Sequence, residues 1–199
     1  MDDINDFKLP REPIEEFEKP SLKRELTGEV ISWVKTIIYA IVFALFLGRF
    51  IIANAEVPTA SMADTIQPLD RIIALRFSYL LWAPERYDII VFRNPDDESI
   101  LYVKRVIGLP GEKVEIINGQ VFINDIIQPD AAAYARDSLL GSWGPGVVPE
   151  NGFFVLGDNR NNSRDSRSWA NPYVQKNQLI GRAFFRYMPF NNMGILTRN

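Results

Sequence analysis

The run from Val30 to Ile52 constrains this chain more than any other stretch. It is almost wholly apolar, broken only by Ser32, Lys35, Thr36, Gly48 and Arg49, and the part from Ile37 to Leu47 carries no charge. A helix needs about 20 apolar residues to cross a bilayer. The run reaches that length if Lys35 and Arg49 extend their charged ends toward opposite interfaces. A helix buried in a protein core is the competing reading. It fits less well, because the residues are apolar on every face rather than amphipathic.

The flanking cations are uneven. Lys19, Lys23, Arg24 and Lys35 lie on the N-terminal side, whereas Arg49 is followed by no Lys or Arg until Arg71. The positive-inside rule then places the N-terminus in the cytoplasm and the later residues outside. The expected organisation is a polar, proline-punctuated cytoplasmic tail (1–29), a transmembrane anchor (30–52) in the plasma membrane, and an extracytoplasmic domain (53–199). Ala53-Asn54-Ala55 has the small-x-small form of a signal-peptide cleavage site. An uncleaved anchor is the preferred reading, since the leader would be overlong, acidic at its start and interrupted by Arg49.

Composition narrows the chemistry. The chain has 199 residues, no Cys and no His. A thiolate nucleophile, a disulfide framework and a zinc ribbon are therefore excluded. The usual general base and most zinc sites go with histidine. A net charge of −3 argues against a broad nucleic-acid surface. A serine nucleophile in this chain would need Lys, Asp, Glu or Tyr as its base.

Beyond Ile66 the pattern turns to short runs rich in Ile, Val and Phe. Arg71–Leu75, Asp88–Arg93, Leu101–Leu109, Lys113–Ile117, Phe153–Leu156 and Arg182–Met188 read as strands. Asn118-Gly119 is a hairpin signal joining Val114–Ile117 to Val121–Ile123. Pro110-Gly111 suits a type II turn. The expected fold is mostly β: a coiled antiparallel β-sheet, barrel-like, behind one N-terminal transmembrane helix. Phe77–Trp82 is unusually apolar for a connection, and reads either as a core strand or as a surface in contact with lipid headgroups. Residues 129–152 read as a long excursion of the kind that covers a site.

Three stretches can carry chemistry. Val57-Pro58-Thr59-Ala60-Ser61-Met62 surrounds a serine with small neighbours just past the anchor. Tyr102-Val103-Lys104-Arg105-Val106-Ile107 sets two cations among apolar residues of one strand. Adjacent side chains on a strand face opposite ways, so one cation can face a buried site while the other faces outward or pairs with a carboxylate. A lysine held away from water loses hydration of its ammonium, its pKa falls, and it becomes able to take a proton from serine. Two solvated cations on an edge strand is the plainer alternative. Gly157-Asp158-Asn159 through Asp165-Ser166-Arg167 packs acids, amides and guanidiniums into one turn-rich segment. It reads as a self-satisfied polar scaffold or as an exposed loop able to bind a cation through Asp158 and Asp165.

Together the three stretches, in this order behind an anchor, resemble the type I signal peptidases, membrane-bound serine proteases that remove signal peptides from exported preproteins. The resemblance runs from the anchor through nearly all of the domain after it. It implies Ser61 as nucleophile and Lys104 as general base. It implies an oxyanion hole made by the Ser61 backbone N–H and the Thr59 hydroxyl, with Ser163 orienting the Lys104 amine. Arg105, Asp158, Asp165 and Arg167 would form the supporting scaffold. Val57, Pro58, Met62 and Ile66 would line pockets for the small residues of an Ala-x-Ala motif. No metal or cofactor is implied. Self-cleaving Ser/Lys proteases of the SOS-repressor type share this core but lack the anchor, and a catalytically dead peptide-binding domain is a further alternative.

Two positions depart from the family pattern. Asp64 stands where proline is usual, and is expected to point to solvent, since a carboxylate near Lys104 would favour the ammonium. Tyr87 stands where Arg-Gly-Asp has glycine, which leaves the turn before a strand open to question.

Overall fold

The computed structural model describes residues 22–63, 65–129, 134 and 141–197. The chain divides into two compact units, residues 1–43 and 44–199. Among the described residues, the first unit holds the greater part of helix α1 (Leu22–Phe46). The helical stretch from Thr27 to Ile51 spans 25 residues, long and apolar enough to cross a bilayer. Its Thr36 hydroxyl donates to the Ser32 carbonyl at 3.0 Å, so a polar side chain on an apolar helix is satisfied one turn back.

In the second unit, the helix ends in a π-turn over Leu47–Ile51 and passes directly into strand β1 (Ile52–Glu56). Strand β1 pairs antiparallel along its whole length with β2 (Arg71–Leu75). The large sheet continues through β11 (Leu179–Met188), β3 (Ile89–Arg93), β4 (Leu101–Gly108), β9 (Gly152–Leu156) and β10 (Val174–Gln175), with β12 (Gly194–Ile195) added to β11. A smaller sheet holds β7 (Ile126–Ile127), β6 (Gln120–Ile123), β5 (Lys113–Ile117) and β8 (Trp143–Val147). Every pairing is antiparallel. The fold is thus mostly β with one N-terminal apolar helix, as the sequence leads one to expect.

Alternation along β4 explains why three apolar clusters share these strands. Val103 packs with Val57, Met62, Ile66, Ile72 and Val91. Ile107 packs with Val114, Ile116 and Phe154 between the two sheets. Val106 packs with Ile90, Phe92, Phe153 and Trp169. The turns behave as their residues dictate. Asn118 and Gly119 take φ of 48° and 83° between β5 and β6, the pair of left-handed residues that a tight hairpin needs. Gly111 takes φ 77° after Pro110, and Glu112 N–H closes the turn on the Leu109 carbonyl at 3.1 Å.

Several expectations need correction. The strand expected from Asp88 begins at Ile89. Asp88 is instead a buried anchor whose carboxylate accepts from Glu85 N–H at 3.0 Å and pairs with Arg182 at 3.2 Å. Phe77–Trp82 is not a strand: it contains the one-turn helix α2 (Ser78–Leu81). Leu81 and Trp82 on it are 65% and 62% exposed, while Tyr79 packs on the third cluster. Strand β8 lies inside the expected excursion of 129–152, and residues 130–133 and 135–140 of that excursion lie outside the described residues. Tyr87 does adopt a left-handed φ of 69°, the conformation glycine favours. Its carbonyl accepts from Arg105 at 2.9 Å and its ring meets Tyr134.

Candidate active site

The segment after β1 folds back on itself. Thr59 is extended, and a 3₁₀ turn over Ala60–Met62 directs Met62 into the core beneath Ser61. The next loop closes by two backbone bonds to Val57: Val57 N–H to Asp70 O at 3.0 Å and Leu69 N–H to Val57 O at 2.8 Å. Ser61 is thereby held at a fixed point above the sheet.

Strand β4 brings Lys104 to it. Lys104 Nζ stands 2.5 Å from Ser61 Oγ, and the Thr59 hydroxyl donates to the same oxygen at 3.1 Å. The lysine is only 2% exposed, with the Tyr102 ring 5.2 Å from its amine. Burial is the main cause that pushes the ammonium down to about 8; the carboxylates of Asp165 and Asp158 oppose that shift and Arg167 adds to it. A substantial neutral fraction is therefore present near physiological pH.

Arg105, the next residue, takes a different partner. It forms a two-pronged pair with Asp158, at 2.9 and 2.7 Å, with both side chains buried. The Thr65 hydroxyl donates to the same carboxylate at 2.6 Å, and the Tyr134 ring lies 3.9 Å from the guanidinium carbon. A buried ion pair is tolerable only when its remaining hydrogen-bonding capacity is met, and Thr65 and Tyr87 supply that. Asp165 forms a second fork with Arg167, at 2.8 Å on each prong, and accepts from Gly157 N–H at 3.1 Å.

Asn159 ties this scaffold to the serine. Its backbone N–H donates to the Ser61 carbonyl and its amide to the Ala60 carbonyl, both at 3.1 Å. Gly157 lies against the same carbonyl: a Cβ there would stand 2.4 Å from Ser61 O and 2.2 Å from Ser163 Oγ. Three stretches distant in sequence thus converge on one hydroxyl and one dry amine, an arrangement suited to nucleophilic attack assisted by a lysine base.

The family model described as signal peptidase, peptidase S26 matches residues 30–188. The chain belongs to that family. It is 42% identical over 171 residues to a signal peptidase I of Leptolyngbya laminosa, with 82% of each chain covered. It is 38% identical to the probable signal peptidase I-2 of a Synechocystis species, covering 82% of this chain and 75% of that one. Against the signal peptidase I S of Bacillus subtilis it is 38% identical, covering 82% and 92%. The protein is accordingly a hydrolase of the signal peptidase I type.

Not every residue of this peptidase stands where the sequence led one to expect. Ser163 does not bond the Lys104 amine: its hydroxyl is buried and, among the described residues, has no hydrogen-bond partner. It points into the gap left by the missing side chain of Gly157. Met62 and Ile66 have no exposed surface and Val57 almost none, because all three pack in the first cluster. They form the floor under the serine rather than open pocket walls, and only Pro58 of that group is exposed. Asp158 and Asp165, considered as cation ligands, are each taken up by an arginine. Asp64 lies outside the described residues.

Thr65, Asn159 and Tyr134 were not anticipated. Thr65 was detectable as a further hydroxyl four residues after Ser61. Nothing local in sequence marks Tyr134, which reaches Arg105 only through the fold.

Proposed function

We propose that this signal peptidase is a membrane-anchored serine endopeptidase that cleaves preproteins after Ala-x-Ala, with Ser61 as nucleophile and Lys104 as general base. The N-terminus is cytoplasmic and the β-rich domain after residue 52 works on the outer side of the membrane. Its substrates are the signal peptides of exported preproteins, and the bilayer holds enzyme and substrate together. The observation that carries this reading is the 2.5 Å approach of a buried, partly neutral lysine amine to Ser61 Oγ.

The chemistry follows from that contact. Neutral Lys104 takes the Ser61 proton as Oγ attacks the carbonyl carbon of the second alanine. The oxyanion meets the Ser61 backbone N–H and the Thr59 hydroxyl, which turns from Ser61 Oγ to the developing charge. As the C–N bond breaks, the Lys104 ammonium gives its proton to the leaving amine, and the mature protein departs. Lys104, neutral again, takes a proton from water as that water attacks the ester. The C–O bond breaks, the proton passes to Ser61 Oγ, and the signal peptide leaves as a carboxylic acid that gives its remaining proton to solvent. Asp158 and Asp165 favour the ammonium, Arg105 and Arg167 occupy those carboxylates, and the balance leaves the amine able to do both jobs.

The test uses detergent-solubilised full chain and a preprotein whose leader ends in Ala-x-Ala. Wild type should release a single mature N-terminus after the second alanine. Ser61→Ala and Lys104→Met should each lose about 10⁴-fold or more in kcat. Equal cleavage by all three would remove the dyad from the mechanism.

A further inference from the structure

A cleft of about 540 Å³ opens on the second unit, away from Ser61. It is lined by Arg76, Lys176, Asn151, Gln175 and Asn177, over a floor of Tyr79 and Leu179. No carboxylate is among these lining residues. Arg76 N–H donates to the Ile51 carbonyl at 2.9 Å and its Nε to Ile52 O at 3.3 Å. Among the described residues, no hydrogen bond or ion pair engages its two Nη groups or the Lys176 amine. Two cations therefore face one cleft with five or more N–H donors to spare and no anion to meet them.

The place of the cleft says which anion. Ile51 is the last residue of the apolar helical run, so Arg76 holds the backbone where that run ends. Two residues beyond Arg76, α2 begins; its last residue Leu81 and the following Trp82 are exposed. An exposed tryptophan a few residues from an arginine bonded to the end of an apolar helical run marks headgroup depth.

We infer that this cleft binds the phosphate of an anionic phospholipid headgroup, phosphatidylglycerol being the simplest. The inference rests on the membrane-anchored reading above. The Arg76 fork and the Lys176 ammonium engage the phosphodiester oxygens. The amides of Asn151, Gln175 and Asn177 serve the glycerol hydroxyls. A zwitterionic headgroup is disfavoured, because the cleft offers its ammonium no carboxylate. The bound lipid fixes the height of the sheet edge that leads, through β1, to Ser61.

Native mass spectrometry of the full chain, released from mixed phosphatidylglycerol and phosphatidylcholine micelles, tests this. Wild type should retain one phosphatidylglycerol, held about tenfold more tightly than phosphatidylcholine. Arg76→Gln/Lys176→Gln should lose that preference, and the charge-preserving exchange Arg76→Lys/Lys176→Arg should keep it. Lys176→Glu alone, which leaves both Arg76 contacts to the helix end in place, should also lose it, so a folding defect cannot account for the result. Equal retention by wild type and Lys176→Glu would overturn the inference. So would inorganic phosphate, added with phosphatidylcholine alone, being held as tightly as the lipid, since the source would then be free phosphate. Preprotein cleavage in phosphatidylcholine, measured on the same samples, should be unchanged in every variant. Absence of cleavage by wild type there would count against the peptidase reading and not against the lipid site.

Discussion

Gly157 is packed so closely on the backbone of Ser61 that a Cβ at position 157 would stand 2.4 Å from the Ser61 carbonyl oxygen. Real Cβ atoms do not approach carbonyl oxygens that closely, so one backbone or the other must move. Because Asn159 N–H holds the same carbonyl, the displacement passes directly to Ser61.

Gly157→Ala should therefore lower kcat by about 100-fold, the effect of misplacing a reacting group by roughly 1 Å. The destabilisation should be modest, about 1–3 kcal/mol. Adding Ser163→Gly removes the second clash, at Ser163 Oγ, but leaves the one at Ser61 O. The double variant should recover stability more than turnover. Steady-state cleavage kinetics read beside urea melts decide this; wild-type kcat in Gly157→Ala would contradict the packing argument.

Tyr134 covers the Arg105 guanidinium from 3.9 Å, and its ring meets Tyr87 at 5.1 Å. The contact shields the buried Arg105–Asp158 pair from water. Tyr134→Ala should admit water beside Arg105 and, through this neighbour, restore part of the hydration of the Lys104 ammonium, which moves the acid limb of the kcat/KM profile to higher pH. Tyr134→Phe keeps the ring face and should keep the limb in place. A pH–rate profile of the three proteins separates the cases. A loss of activity without a shifted limb in Tyr134→Ala would assign the residue a purely structural role.

How much of this was legible beforehand differs by residue. The strand bearing Lys104 and Arg105 was clear from its apolar neighbours, and so was the Asn118-Gly119 turn, because both signals are local. Strand β1 was hidden: its Ile52 and Ala53 continue the apolar run, and only pairing with β2 distinguishes strand from anchor. Which of the two β4 cations meets the serine was not decided by alternation alone, since Arg105 is as deeply buried as Lys104. The Ser163 hydroxyl could not be placed from sequence, because a rotating side chain takes its direction from the space beside Gly157. Tyr134 depends on a loop returning across the sheet, a contact with no local signature.

Burying Lys104 has a thermodynamic consequence. Its pKa falls from 10.5 to about 8 on folding. Below pH 8 folded and unfolded chains both hold the proton, and the folded state bears the full cost of a dry ammonium. Between pH 8 and 10.5 the unfolded chain holds more protons, so stability rises with pH. Lys104→Met lacks this group. Wild-type stability measured against it should improve by about 3 kcal/mol across that window. Urea melts at pH 7, 9 and 10.5 provide the comparison, and a difference independent of pH would show that the amine is hydrated.

The charge state of Lys104 can be read on the atom itself. NMR of full-length protein carrying ¹⁵N-labelled lysine side chains, in detergent micelles, follows each amine through its titration. One resonance should titrate at about pH 8 and should vanish in Lys104→Met. If the resonance that vanishes in Lys104→Met titrates instead at ~10.4, the value of an unperturbed lysine, the amine beside Ser61 is an ordinary ammonium and cannot serve as the base.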